Sequence, residues 1–174
     1  MSALPDAYLA IIRPLIATAR GFLEAGETLA PVAFVGNFAN GQAVPVLLRS
    51  GSEAEKNASA AAIRAAAQAL DADFVFVMME AWSLRQDKLH RVEEIMERYG
   101  SIGASPYAID VVSMALETRH GVWAAQLPIK AKGVSKKKRT FAEPAFQWFT
   151  EVEGRFVNLL PARQGEASAP APLH

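Results

Sequence analysis

The sequence predicts an α+β domain built on a largely antiparallel sheet of about seven strands with three helices. Three observations carry that prediction. From Phe74 to Met79 every side chain is apolar, so a strand here presents two hydrophobic faces and needs cover on both. Apolar residues at helical spacing lie on both sides of this run, at 5–25, 53–70 and 86–99. The links between the remaining apolar stretches are short enough for hairpins, which require antiparallel pairing.

The first helix is expected from Pro5 to Ala25. Pro5 and Asp6 suit a first turn, where a missing N–H is harmless and a carboxylate meets the positive end of the dipole. Gly26 ends the helix, Pro14 is expected to kink or break it, and Leu9, Ile12, Ile16 and Leu23 turn toward the sheet. Leu29–Phe38 and Gln42–Arg49 then flank Ala39-Asn40-Gly41, and Asn-Gly between apolar runs predicts a hairpin closed by a type I′ turn. Pro31 and Pro45 cannot donate to a ladder, which sends this hairpin to a sheet edge. Ser52 and Glu55 form a capping box at the head of a helix over 53–70. Its expected core face is Ala58, Ala61, Ala62, Ala65, Ala66 and Ala69, with Ile63 and Leu70 the large residues.

After the central strand, Ser83 or Asp87 caps a helix over 86–99, which Gly100 terminates. Leu89, Val92, Ile95, Met96 and Tyr99 form its apolar stripe, and Glu94 precedes Arg98 in the favourable i to i+4 order. Ser101–Pro106 is a loop. Strands follow at Tyr107–Leu116 and Val122–Ile129, turning through Thr118–Gly121, and a last pair is expected at Ala145–Val152 and Arg155–Leu160. The stretch 161–174, rich in Ala and Pro without periodicity, is expected to be a disordered tail on a single domain of residues 1–160.

Composition narrows the function classes. With 174 residues, 51% of them hydrophobic and 21% charged, the chain is long enough for one domain with a core. The absence of cysteine excludes disulfides, thiolate nucleophiles and Cys-ligated metal centres and fits a cytoplasmic location. Arg13 and Arg20 interrupt the N-terminal apolar stretch, and no run approaches the roughly 18 apolar residues of a membrane span. The protein is read as soluble, with no membrane partner. The 18 basic and 18 acidic residues cancel, but six of the basic ones fall in 130–139, leaving twelve against eighteen elsewhere, a net of −6.

No catalytic or cofactor motif occurs, and no cofactor is expected. The most specific feature is the basic loop of Lys130, Lys132, Lys136, Lys137, Lys138 and Arg139. It is expected to stand off the sheet as a flexible hairpin loop that attracts nucleic acid or another polyanion, with Phe141, Phe146 and Trp148 near enough to stack on bases. The candidate catalytic acids are Glu80 and Asp110, which approach each other as a metal or acid–base pair if the strand around Val77 pairs with the one around Val112, in a register the sequence does not give, and Glu117 at a turn. His90 with Glu93 and Glu94 lacks further ligands, and Ser113, His120 and Asp110 lack a nucleophile elbow. Trp82, Trp123 and Trp148 are expected in the core, an exposed one marking an interface. The favoured reading is a non-enzymatic binding module that meets a protein partner or forms a homodimer across an uncovered sheet face. The alternatives are a nucleic-acid-associated protein using the basic loop, and a small metal-dependent enzyme using the strand carboxylates.

Overall fold

The apolar run forms the third strand in a sheet of six. In the computed structural model, which describes residues 3–150 and 159–160, helix α1 (Asp6–Glu24) leads to strands β1 (Val32–Asn37) and β2 (Gln42–Leu47), helix α2 (Glu53–Ala69) and strand β3 (Phe74–Leu84). A 3₁₀ segment, Gln86–Arg91, runs into helix α3 (Val92–Tyr99). Strands β4 (Ala108–Thr118), β5 (Gly121–Pro128), β6 (Lys130–Ala131), β7 (Arg139–Thr140) and β8 (Gln147–Phe149) complete the order. The main sheet runs β2-β1-β3-β4-β5-β8, antiparallel throughout, while β6 and β7 pair only with each other. The α+β class is as expected. The strand expected at 155–160 and the tail at 161–174 lie outside the described residues, apart from Leu159 and Leu160.

Alternation along β3 makes two cores. Phe74, Phe76 and Met78 point with Val112, Met114, Leu116 and Trp123 toward α1, which contributes Ile12, Ile16, Ala19 and Leu23. Val75 and Val77 point the other way with Ala33 and Val35, toward Ile63 and Ala67 of α2. Each large side chain so buried contributes about 1.5–3 kcal/mol, and the sheet is held from both faces.

Local expectations fared unevenly. Helix α1 runs unbroken through Pro14, because Pro14 and Ala10 both lie on its exposed side, where the carbonyl that loses its partner meets water. The β1–β2 hairpin is at the sheet edge, as the prolines imply, but its loop is not type I′. Four residues, 38–41, separate the paired Asn37 and Gln42, and only Gly41 has a positive φ. The side chains of Asn37 and Asn40 accept the N–H groups of Ala39 and Gln42 and hold the longer loop.

Helix α2 has the expected Ser52 cap on Glu55, with the Glu55 carboxylate accepting from Gly51. Its core face is Ser59, Ala60, Ile63 and Ala67, whereas Ala58, Ala61, Ala62, Ala65, Ala69 and Leu70 are exposed. Ser59 is buried because its hydroxyl bridges the N–H and carbonyl of Arg49. The helix expected over 86–99 divides into the 3₁₀ segment and α3, with Gly100 ending it in the left-handed conformation and neither Ser83 nor Asp87 capping it. Of its stripe, only Ile95 is buried.

At the far end of β4, the carboxylate of buried Glu117 accepts the Leu159 N–H on both oxygens and the Leu160 N–H on Oε2, tying this segment to the α2 side of the sheet. Leu159 completes that core.

Gly36 in β1 leaves no room for a side chain: a Cβ there falls 2.5 Å from the Phe74 ring and also meets the Gln42 carbonyl. Gly36→Ala is expected to destabilise the fold by about 1–3 kcal/mol or more, read by denaturant unfolding, because neither ring nor carbonyl can retreat freely. Glu117→Ala is expected to lose about 1–3 kcal/mol, with amide exchange rising first at Leu159 and Leu160, whose N–H groups lose their acceptor.

Candidate functional site

Helix α2 packs on β1 and β2 and reaches Val75 and Val77 of β3; among the described residues a groove remains on the β4-β5-β8 half of the same sheet face. Register sets what lies there. Ser113 is opposite Gln126, Ala115 is opposite Ala124, and Ala124 is opposite Gln147. Small and amide side chains therefore floor a groove of about 570 Å³. Gln86 and Leu89 wall one end, and Ala145 and Phe149 the edge strand. Leu89 is 51% exposed and Phe149 42%. Beyond Leu89 the rest of the bare stripe continues, with Val92 39% and Met96 42% exposed. Arg91 and Glu94 pair beside it at 2.8 Å, which holds the Glu94 carboxyl below the usual carboxylate range.

The opposite face carries the candidate acids. Trp82 is directly across from Asp110 and Glu80 from Val112, so Glu80 and Asp110 are diagonal neighbours and line one cleft of about 290 Å³ with Trp82. Both oxygens of Glu80 are engaged: Oε1 takes Arg139 at 2.8 Å and Oε2 the Leu29 N–H at 2.9 Å. Glu80 thus joins the basic ribbon to the segment before β1. Among the described residues no group of three or more metal-ligating side chains converges. Strand alternation puts Ser113 on the groove face and Asp110 on the other, and His120 is in the turn beyond β4, so these three do not converge. Trp82 is 64% exposed, with Gly103 against its ring, whereas Trp123 is buried and Trp148 packs beside it.

The basic loop is not a free projection. Strands β6 and β7 form its base, and the Lys132 N–H donates to the Lys138 carbonyl. Glu24, at the end of α1, accepts from Lys132 Nζ and the Thr140 hydroxyl, each at 2.9 Å. Arg139 is held by Glu80, and Lys137 lies over Gly26. Two of the six cations are therefore anchors, while Lys130, Lys136, Lys137 and Lys138 are exposed. The proposed stacking aromatics are not available beside them: Phe141 is buried under the Arg20 guanidinium, and Phe146 and Trp148 pack on the α1 core. A charge run shows none of this, because the anchoring acids are remote in sequence.

The fold and its surfaces define an α+β domain with a helix packed on each sheet face, a groove on one of them among the described residues, and a pinned basic ribbon. No protein-family model, curated protein or solved structure matches the chain. Among the described residues no helix is long and apolar enough to cross a membrane.

The clamp is pH-sensitive through Glu24, whose carboxyl is held below its ordinary value by hydrogen bonds from Lys132 and then Thr140. A depressed folded value means the contribution is complete above the ordinary carboxylate range and is lost as the pH falls through the lowered value. Amide exchange of 130–140 is expected to accelerate on acidification through that range. In Glu24→Gln the ribbon should exchange faster at neutral pH already, and this part of the pH dependence should vanish.

Proposed function

We propose that the protein acts by binding rather than by catalysis, as a self-associating module whose contact surface is the open β4-β5-β8 face together with α3. One observation carries the reading: exposed Leu89 lines a groove floored by Ser113, Ala115, Ala124 and Gln126, and the exposed apolar residues Val92 and Met96 follow it in α3. A twofold contact needs one surface that complements itself, each copy supplying both a knob and a hole. Ridge and groove side by side meet that requirement, and a second copy is therefore the occupant favoured over an unrelated protein.

Burial supports the same partner. Isolated exposed leucines need no explanation, but a contiguous apolar patch on a soluble chain marks an interaction surface. Val92 and Met96 share one face of α3 at i and i+4, and Leu89, in the 3₁₀ segment that leads into it, lines the groove. A stable contact takes about 800 Å² per partner, so the reading requires groove and ridge to be buried together.

The test is the solution mass by light scattering across a concentration series. The wild type is expected at twice the chain mass. Leu89→Asp with Met96→Asp, which alters the ridge, and Ala124→Phe, which fills the groove, should each shift it toward a single chain while the circular dichroism stays unchanged. A wild type of single-chain mass at every concentration would sink the reading, as would a dimer indifferent to both variants.

A further inference from the structure

We infer that the β6–β7 ribbon is a docking element for the phosphate backbone of a nucleic-acid duplex, read without base specificity. This surface is separate from the groove and does not rest on self-association.

The six cations divide by role. Lys132 and Arg139 are bound to Glu24 and Glu80 and fix the ribbon to α1 and β3. Lys130, Lys136, Lys137 and Lys138 have no acidic partner among the described residues and extend from that fixed base. The turn between them is also held: the Ser135 hydroxyl accepts the N–H groups of both Lys137 and Lys138. Lys136, Lys137 and Lys138 are consecutive, with Cα atoms about 3.8 Å apart along the chain, and like charges within one screening length of about 8 Å repel each other. The two clamps keep them together in the free protein, and a line of phosphates relieves the repulsion on binding. Pinning also means that little ribbon ordering remains to be opposed when the ligand arrives.

The chemistry of the four residues selects the ligand. Lysine is a hydrated point charge that meets phosphate without the bidentate geometry that reads guanine. Single-stranded nucleic acid is held by a row of exposed aromatic rings on which successive bases stack, but Phe141 is buried beneath Arg20, Phe146 and Trp148 pack on the core, and Trp82, 64% exposed in the Glu80 cleft, is a single ring rather than a row. A duplex keeps its bases stacked internally and offers phosphates alone. At the tip, Val134 is fully exposed, and it is the one apolar side chain between Lys132 and Arg139, which gives a lipid surface no aromatic or multiple apolar anchor to take up. The acidic remainder of the chain, at −6, confines contact to the ribbon.

The experiment titrates the full chain against a fluorescently labelled random-sequence DNA duplex and its single strand, with phosphatidylserine vesicles in parallel. Four phosphate contacts predict a slope of log affinity on log salt of roughly −3.6, or about a hundredfold loss between 50 and 200 mM. The triple variant Lys136→Ala, Lys137→Ala, Lys138→Ala should flatten the slope by about 2.7, and Val134→Ser should leave it unchanged. Single strands should bind no more tightly than duplex. The inference is overturned by absence of duplex binding at low salt, by duplex binding that the triple variant does not weaken, by a clear preference for single strands, or by vesicle binding that depends on Val134 without duplex binding.

Discussion

Strand β3 must be buried on both faces, and much of the architecture answers that constraint. Six consecutive apolar residues, Phe74–Met79, cannot face water on either side, so one helix is needed on each. Helix α1 supplies Ile12, Ile16 and Leu23 to Phe74, Phe76 and Met78, and α2 supplies Ile63 and Ala67 to Val75 and Val77. The two helices are unequal. Large residues on α1 reach across to Met114, Leu116 and Trp123 of the strands beyond, whereas α2 buries mostly Ala and Ser at its own end of the sheet. On one face α1 therefore packs with residues of β3, β4 and β5, whereas on the other α2 packs with β1 and β3 and, among the described residues, Leu159 and Leu160 close over Glu117 of β4. Among the described residues, the groove lies on the part of the six-stranded sheet that this helix of small side chains does not reach.

The fold was legible because its main determinants are periodic or local. A two-faced apolar strand, helices with capping residues and short hairpin links each leave a pattern in neighbouring residues. Patterns failed where the sequence offers no contrast. In α2, alanine surrounds the helix, so the buried face is chosen by Ile63 and by the hydrogen bonds of Ser59 rather than by a hydropathy stripe. The stripe at 89–99 names residues that share a helix face but not what covers that face, and only Ile95 of it is buried.

The candidate sites were less legible because their partners are distant. Glu80 could be singled out as an acid at the end of an apolar run, and its neighbourhood with Asp110 follows from pairing β3 with β4. Its actual occupants, Arg139 and the Leu29 N–H, lie 59 and 51 residues away. Thr140 and Glu24 are 116 residues apart. Such ion pairs depend on where the chain returns after several strands, which no local spacing encodes. The lysine run was visible, but which of its charges are anchors and which remain exposed was not.

The two proposed surfaces lie on opposite faces of the sheet, and that geometry relates them. The ribbon is tied to Glu24 and Glu80 on the α1 side, while the groove of Ser113 and Ala124 opens on the α2 side. A twofold pairing through the groove leaves each ribbon uncovered and gives the assembly two basic elements on an acidic body. Linked contacts of this kind bind one long polyanion more tightly than either alone, provided the ligand spans both. A duplex too short to span them gains nothing from the second copy. Disrupting the groove should therefore weaken binding to long duplexes while leaving short ones unaffected, whereas removing the lysines weakens both. In the proposed assembly the ribbon would supply the charge, and pairing through the groove would set how many such elements a single ligand meets.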